Sequence, residues 1–148
     1  MTTMTQNVTQ VYQVFIKATP EQIWDAITTP EFTARYFYGA RITVVPDSYR
    51  ALGPNDETWA DEAVLEFEPP RRLVHGWRSL YDPELAVEEP SRITWEIDPQ
   101  DGGYCSLTVT HDQLEGAPKT AASVGGAGWM MVLSGLKTLL ETGEPLAG

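Results

Sequence analysis

The last long stretch of the chain constrains the fold more than any other segment. Residues 123–142 read SVGGAGWMMVLSGLKTLLET, and a helical wheel of about 100° per residue places their apolar side chains along one side of a single helix. The centre of the predicted buried face consists of Val124, Gly128, Met131, Val132, Gly135 and Leu139, with Trp129, Leu133, Leu136 and Leu140 beside it. An apolar arc of about half the circumference is wider than a minimal core stripe, so this helix needs a large apolar partner.

Both ends of this helix carry residues that are typical of helix termini. Ser123 is a predicted N-cap, Gly143 is a predicted C-terminal cap, and Pro145 prevents the helix from continuing. Gly128 and Gly135 lie in the middle of the buried face, although each costs about 1 kcal/mol of helix propensity relative to alanine. Two explanations stay open: the glycines allow close packing on a sheet, or they leave room for another molecule.

The charge and the cysteine content exclude several classes of protein. The 148 residues have the length of one domain and carry a net charge of −11 with a pI near 4.4, which opposes binding to nucleic acids or anionic membranes. The one cysteine, Cys105, permits no internal disulfide and fits a reducing compartment. The polar N-terminus has no signal-peptide pattern, and no apolar run reaches the roughly 18 residues of a membrane span. We expect a cytoplasmic protein, monomeric or homodimeric.

Hydrophobic periodicity predicts one strand, two short helices and six further strands before the long helix. The first strand covers residues 11–17, and the two helices cover about 19–27 and 31–37, each starting at a Thr-Pro step. Turn residues and period-two alternation then predict strands at 41–45, 48–52, 58–68, 72–80, 91–98 and 104–114. An acidic stretch at 81–90 is predicted to be a loop, and 115–122 a linker.

Alternation also predicts which side chains face the core. In the later strands these are Leu73, His75, Trp77, Ile93, Trp95, Ile97, Cys105, Leu107, Val109 and His111, and in strand 58–68 they are Ala63, Leu65 and Phe67. Consecutive strands joined by short turns favour an antiparallel sheet with one apolar face. The expected fold is therefore α+β, with a curved antiparallel sheet of about seven strands wrapped around the long C-terminal helix.

Three segments resemble a known family. Residues 18–24 (ATPEQIW) resemble its entry into the first helix, and residues 68–77 (EPPRRLVHGW) are similar to its proline–arginine turn between two middle strands. Gly128-Trp129, followed by three leucines, resembles its final helix. With the order of elements, these segments resemble the SRPBCC superfamily, which has a helix-grip fold and includes START lipid-transfer domains, pollen-allergen-type proteins and polyketide cyclases. They are most similar to the Aha-type branch, named for a chaperone ATPase activator.

The resemblance implies one helix-grip domain over residues 10–143, with a flexible segment at 1–9 and a tail at 144–148. Members of the superfamily bind varied apolar ligands. Small helix residues opposite large inward aromatic residues are also consistent with an apolar pocket between sheet and helix. The residues expected to contact a ligand are Trp24, Tyr36, Phe37, His75, Trp77, Trp95, His111, Gly128, Trp129, Val132 and Gly135.

Few residues could carry out chemistry. His75 and His111 are predicted on the inner face, either as a polar pair that includes a general acid or base, or as separately hydrogen-bonded core residues. Their spacing with Cys105 gives no metal motif, and an inward Cys105 is expected to be a small apolar residue rather than a nucleophile. The glycine-rich residues 125–128 could form a helix N-terminus that binds a phosphate, but no P-loop lysine accompanies them. We expect no metal and no cofactor.

Three hypotheses for the function follow. The first is a binding protein that holds a small apolar or aromatic molecule. The second is an enzyme of the cyclase or hydratase type that uses His75, His111 or Tyr36 as proton donor or acceptor. The third, a chaperone-interaction domain, is the least favoured, because the activator's additional chaperone-binding domain is absent from these 148 residues. Two polar side chains that converge within about 3–4 Å of one point in a cavity would favour the enzyme.

Overall fold

A computed structural model describes residues 9–146, except the side chains of residues 126 and 127. Seven antiparallel strands form one sheet in the order β1-β7-β6-β5-β4-β3-β2. The strands are β1 Gln10–Ile16, β2 Arg41–Val45, β3 Ser48–Leu52, β4 Thr58–Glu68, β5 Arg72–Trp77, β6 Ser91–Gln100 and β7 Tyr104–Asp112. The helices are α1 Pro20–Thr28, α2 Pro30–Thr33, α3 Pro83–Ala86, α4 Pro118–Ser123 and α5 Trp129–Thr142. The predicted α+β fold is confirmed; the predicted flexible segment 1–9 lies, except for Thr9, outside the described residues.

One face of the sheet, called the inner face below, forms the core with α1 and α5. Every residue of β5, β6 and β7 that alternation predicts to face inward is buried, including the two histidines. The apolar residues among them belong to the same hydrophobic cluster as Ile23 of α1 and Leu136 of α5. The amphipathic pattern of each element therefore positions the long helix over the sheet, as the sequence predicts.

Helix α1 begins where the sequence predicts. The Thr19 hydroxyl accepts a hydrogen bond from the Gln22 N–H (3.1 Å), and the Gln22 side chain accepts one from the Thr19 N–H (2.9 Å). This reciprocal capping box satisfies two backbone donors at the start of the helix. The helix then buries Ile23, Trp24 and Ile27.

Helix α2 is shorter than predicted, and Phe37 lies in the loop that follows it. The helix ends at Thr33, whose buried hydroxyl donates to the Ala40 carbonyl (2.9 Å) and accepts from the Ile42 N–H (2.9 Å). These two bonds tie the end of α2 to the start of β2, so residues 34–40 turn back toward the sheet. Tyr38 in this turn has a left-handed backbone with φ of 53°, which is uncommon for a residue other than glycine.

The predicted inward side of β4 is wrong for Ala63 and Leu65, both of which are exposed. Val64 packs against the core instead, together with Phe67, for which the prediction was right. The register between β4 and β5 shifts just after Val64, which indicates a β-bulge. A bulge adds one residue to one strand and reverses the alternation beyond it, so regular alternation predicts only one part of such a strand correctly.

The C-terminal helical region begins at Pro118 rather than at Ser123, so Ser123 is not an N-cap. Between α4 and α5, residues Val124–Gly128 form a π-helix, in which the Trp129 N–H donates to the Val124 carbonyl five residues back. The predicted linker 115–122 therefore already contains the first turns of this region. The glycine-rich residues lie inside the helical region and not at its N-terminus.

The π-helix also explains why one residue of the predicted buried face is wrong. Met131 is 42% exposed, whereas Leu136 is fully buried. The wheel treats Val124 and Met131 as parts of one unbroken α-helix, but a π-turn contains more residues per turn and changes the phase between them. The predicted end of the helix is confirmed, because Gly143 caps α5 with a φ of 80°.

Two charged side chains of α5 cover the free edge of β1. Lys137 Nζ donates to the Phe15 carbonyl (2.6 Å), and Glu141 Oε2 accepts from the Lys17 N–H (2.8 Å). Lys137 and Glu141 also form a salt bridge with each other at 2.7 Å. These contacts satisfy backbone groups that an edge strand would otherwise expose, and they hold α5 against the end of the sheet.

The acidic stretch 81–90 was predicted to be a loop, but it contains α3 and braces α4. Glu88 accepts hydrogen bonds from the Lys119 N–H (2.9 Å), the Thr120 N–H (2.8 Å) and the Thr120 hydroxyl (2.7 Å). The N-cap residue of α4, Ala117, has no side-chain acceptor of its own. Glu88 therefore supplies from another segment the acceptor that the first turn of α4 requires.

Candidate ligand-binding cavity

A cavity of about 290 Å³ lies between the sheet and the helical region around the π-helix. Its walls come from the turn after α2, from β3, β4 and β5, and from α4, the π-helix and α5. The lining residues are Phe37, Tyr38, Ala40, Ala51, Trp59, Trp77, Tyr81, Ser123, Val124, Gly128, Trp129 and Val132. Six of these twelve are aromatic and none is charged at neutral pH, so we call this space the aromatic cavity.

Two tyrosines are the most exposed aromatic residues of the cavity wall, and we call them its rim. Tyr38 is 57% exposed and Tyr81 is 45% exposed, whereas Trp77 and Trp129 are buried. The polar side-chain groups of the wall are the hydroxyls of Tyr38, Tyr81 and Ser123 and the three indole N–H groups of its tryptophans. A mostly apolar wall with few polar groups is the usual form of a small-molecule site.

Hydrogen bonds on the far side of the wall orient its two buried tryptophans. The Trp77 indole N–H donates to the Ser79 hydroxyl (2.9 Å), and the Trp129 indole N–H donates to His111 Nδ1 (3.1 Å). Because both N–H groups are engaged within the protein, the two rings contribute carbon surface to the cavity rather than hydrogen-bond donors.

Other contacts position the aromatic residues nearer the rim. Phe37 meets Trp129 edge-on, with ring centroids 6.3 Å apart, and Trp59 meets Tyr81 in the same way at 5.8 Å. Edge-to-face contacts of this kind stabilise a particular arrangement of rings. The Tyr38 hydroxyl donates to the Gly128 carbonyl of the π-helix at 3.4 Å, so the turn after α2 also contacts the helical region across the opening.

His75 lies behind the aromatic cavity and not in its wall. The Trp95 indole N–H donates to His75 Nε2 (3.0 Å), so the ring hydrogen of His75 is on Nδ1, which donates to the Gly76 carbonyl (2.7 Å). The ring also stacks on Tyr49 with centroids 3.7 Å apart. Both nitrogens and one face of this imidazole are therefore occupied by protein groups.

His111 is held in a similar way. Its Nδ1 accepts from the Trp129 indole, so Nε2 carries the hydrogen and donates to the Ser91 hydroxyl (2.7 Å). The Ser91 hydroxyl in turn donates to the Trp77 carbonyl (3.3 Å). His111 thus connects two tryptophans of the cavity wall but does not reach the cavity itself.

Burial keeps both histidines neutral. Desolvation lowers the pKa of His75 to about 3, although the hydrogen bond to Gly76 opposes this shift. Desolvation likewise lowers the pKa of His111 to about 4, against the opposing charge of Asp112. At neutral pH each imidazole is a fully hydrogen-bonded neutral group, which agrees with separately hydrogen-bonded core residues rather than with an acid–base pair.

A second cavity of about 240 Å³ adjoins Tyr38, which lines both spaces. Its wall includes Tyr36, Met131 and Gly135. A Cβ atom on Gly135 would lie 3.1 Å from the Tyr36 Cβ, closer than most such contacts. Gly135 therefore allows close packing on Tyr36, which lies in the turn after α2 and not in the sheet that the first explanation for the helix glycines named.

The residues predicted to contact a ligand fall into three groups. Five line the aromatic cavity: Phe37, Trp77, Gly128, Trp129 and Val132. Tyr36 and Gly135 line the second cavity, and the Tyr36 hydroxyl donates to the Ala26 carbonyl at 2.6 Å. Four lie elsewhere in the core. His75, Trp95 and His111 take part in the hydrogen bonds behind the cavity wall, and Trp24 packs against Phe67 with ring centroids 5.3 Å apart.

Seven residues of the wall are not among those predicted to contact a ligand: Tyr38, Ala40, Ala51, Trp59, Ser123, Val124 and Tyr81. Alternation along β3 could have found Ala51, because it lies two residues from the buried Tyr49. Tyr38 and Tyr81 follow the ends of regular elements, where no periodic pattern indicates a direction. Their positions depend on turns that the tertiary structure determines.

Two further expectations concern metals and thiol chemistry. Cys105 is buried, and its thiol donates to the Ala18 carbonyl at 3.3 Å, as expected for a core residue. Between residues 9 and 146, no three His, Cys, Asp or Glu side chains come together where they could hold a metal ion. In the same part of the chain, no helix has both the length and the hydropathy needed to cross a bilayer.

The fold and the cavity together define a class of protein. A first strand, two short helices, six antiparallel strands and a C-terminal helix packed on the sheet form the helix-grip fold of the SRPBCC superfamily. The sequence profile of the family described as "Activator of Hsp90 ATPase homolog 1-like protein" matches residues 17–141. The chain belongs to this family, as its resemblance to the Aha-type branch predicts.

Solved structures with the same fold come from distant relatives. The protein MLL2253 from Mesorhizobium loti is 24% identical with a TM-score of 0.70, over 90% of this chain and 97% of that one. CalU16 from Micromonospora echinospora is 20% identical with a TM-score of 0.70, over 95% of this chain and 78% of that one. PFC0360w, an HSP90 activator from Plasmodium falciparum, is 16% identical with a TM-score of 0.70, over 90% and 96%. A search of curated proteins finds no match. Identities this low establish the fold alone.

Proposed function

We propose that the protein binds a small apolar or aromatic molecule in the aromatic cavity. The observation that carries this proposal is a solvent-accessible space of about 290 Å³ with six aromatic residues in its wall. The volume lies near the lower end of the range of about 300–1,000 Å³ for ligand pockets, which favours a compact ligand. Burial of such a ligand against aromatic rings would supply most of the binding free energy.

Binding is a better proposal than catalysis for this cavity. A cyclase or hydratase needs a proton donor or acceptor at the reacting atoms. The two histidines that could serve in that role hydrogen-bond to Trp95 and Trp129 behind the wall. The Tyr36 hydroxyl is engaged with the Ala26 carbonyl, so each of the three candidates already has a structural partner.

The test is to fill the aromatic cavity and to measure the affinity for an apolar fluorescent probe. Val132 is buried and lines the cavity, so Val132→Phe should place a ring in the space that the ligand occupies. We expect the probe to bind this variant at least tenfold more weakly, a loss of about 1.4 kcal/mol. Met130→Phe is the matched control, because it introduces the same ring on the same helix. Met130 is 55% exposed and does not line the cavity.

The control variant should bind the probe as the original protein does. Equal affinity of Val132→Phe and the original protein, with both folded by circular dichroism, would contradict the proposal. If Val132→Phe does weaken binding, native mass spectrometry of the protein purified from its own host should detect a retained small molecule, and the mass of that molecule would give the first indication of its identity.

A further inference from the structure

The wall of the aromatic cavity offers aromatic surface without charge. None of its twelve residues is an aspartate, glutamate, lysine or arginine. The N–H groups of Trp77 and Trp129 are engaged within the protein, so among the three indoles of the wall only Trp59 could offer a donor to an anion. The faces of aromatic rings carry negative electrostatic potential and attract organic cations.

An acidic side chain, Glu57, lies beside Trp59 in the cavity wall. A Cβ atom on Gly53 would collide with both Glu57 Oε1 and the Trp59 ring, so these two side chains cover this glycine together. The Glu57 carboxylate therefore lies next to the Trp59 ring at the edge of the cavity. Its negative charge favours a cation at the opening over an anion.

A second acidic residue follows Tyr81, the ring that contacts Trp59. Asp82 directly follows Tyr81, and its carboxylate accepts the Glu84 N–H at 2.9 Å as the cap of α3. Three arginines, Arg41, Arg50 and Arg78, directly adjoin wall residues in sequence. Arg41 forms a salt bridge with Asp56, and the charge of Arg78 acts on Glu62. With a net charge of −11 over the chain, the field around a cleft of low dielectric constant should raise the local concentration of cations.

We propose that the aromatic cavity selects an aromatic molecule that carries a quaternary or delocalised positive charge. This inference rests on the proposed function and narrows its ligand class. A primary ammonium is hydrated more strongly than a delocalised cation, and the cavity wall contains no carboxylate that could replace its hydration shell. A methylated or ring-delocalised cation loses less hydration and gains contact with several rings.

The test compares three probes of nearly equal size at 150 mM salt, by ligand-detected NMR titration of the full chain. N-methylquinolinium is the cation, 1-methylnaphthalene is its neutral counterpart, and 1-naphthoate is the anion. We expect N-methylquinolinium to bind at least fivefold more tightly than 1-methylnaphthalene, and 1-naphthoate to bind most weakly. Val132→Phe should weaken the binding of each probe, which would locate the binding in the aromatic cavity.

The outcomes separate this inference from the proposed function. If 1-methylnaphthalene binds in the cavity and the preference for the cation is less than fivefold, the inference is wrong and the proposed function stands. Tighter binding of 1-naphthoate would also overturn the inference. If no probe binds, or if Val132→Phe changes none of the affinities, the proposed function fails and the inference fails with it.

A pair of variants tests whether the aromatic wall produces the selectivity. Trp59→Leu keeps apolar surface at a partly exposed position of the wall but removes the aromatic ring. The ratio of the two affinities, cation to neutral, should fall at least threefold. Tyr104→Leu is the control, because Tyr104 is exposed on β7 and does not line the cavity. An unchanged ratio in Trp59→Leu, or an equal fall in Tyr104→Leu, would contradict the inference.

Discussion

The indole N–H of Trp95 donates a hydrogen bond of 3.0 Å to Nε2 of His75, and both side chains are almost fully buried. The bond places the imidazole hydrogen on Nδ1, and a protonated ring would lose this acceptor. His111 receives the Trp129 indole in the same way at 3.1 Å. The two histidines of this chain thus act as hydrogen-bond acceptors for core tryptophans, and this role requires that they stay neutral.

The first prediction is that stability falls as the pH decreases from 7.5 to 5.5. In the unfolded chain both histidines protonate near the usual pKa of about 6.5, whereas burial lowers the pKa of His75 to about 3 and that of His111 to about 4 in the folded protein. The unfolded state therefore binds more protons in this range, which favours unfolding as the pH falls. We expect a loss of about 1.4 kcal/mol for each histidine, measured by urea unfolding.

The chain has only two histidines, so the control is direct. His75→Gln should remove about half of this pH dependence, because one titrating imidazole remains. A free energy of unfolding that is constant between pH 7.5 and 5.5 in the original protein would show that the histidines are not buried as neutral groups.

The second prediction concerns the support that α5 gives to the core. Leu136 is fully buried in the main hydrophobic cluster, so Leu136→Ala should cost about 2–5 kcal/mol, the range for large-to-small changes in a core. Met130→Ala on the exposed side of the same helix should cost less than about 0.5 kcal/mol. Thermal and urea unfolding of both variants measures the difference, and similar losses would place the wrong face of α5 against the sheet.

The third prediction concerns the contact between Gly135 and Tyr36. A Cβ atom on Gly135 would lie 3.1 Å from the Tyr36 Cβ and 3.5 Å from the Tyr36 carbonyl oxygen. A larger side chain should therefore overpack this contact and destabilise the protein by about 1–3 kcal/mol. Ser134→Leu at the exposed neighbouring position is the control and should change stability little. An unchanged thermal midpoint for Gly135→Leu would mean that the helix and Tyr36 are not in close contact.

The fourth prediction concerns the bond between the acidic stretch and α4. Glu88→Ala removes the acceptor for the Lys119 and Thr120 amides, so amide hydrogen exchange at these two residues should accelerate. Glu89→Ala is the matched control, since the Glu89 side chain lies over Gly116 and accepts neither amide. Equal exchange rates in the two variants would contradict the role assigned to Glu88.

Much of the fold could be predicted because its elements carry strong local patterns. The alternation of Leu73, His75 and Trp77 and that of Ile93, Trp95 and Ile97 predict one buried face correctly. Thr19 and Pro20 predict the cap and the first residue of α1 correctly. These signals depend on residues close together in the chain, so no tertiary contact is needed to interpret them.

The errors occur where a local irregularity changes the phase of a regular pattern. Because of the bulge after Val64 in β4, both Val64 and Phe67 pack on the core, so the phase of Phe67 does not extend back to Leu65. The π-helix before Trp129 changes the phase between Val124 and Met131, so these two residues do not share one buried face. A one-residue insertion of this kind leaves composition and spacing almost unchanged. It is determined by which arrangement packs better against neighbouring strands.

The candidate site shows the same division. Charge, periodicity and capping residues are properties of the chain alone, so they predict an acidic protein with an antiparallel sheet, a long C-terminal helix and many inward aromatic residues. The packing of distant segments, in contrast, joins Trp95 to His75 in the core and brings Trp59 and Tyr81 together at a cavity. Alternation indicates that a side chain points inward, but whether it meets another side chain or an empty space depends on how distant segments pack.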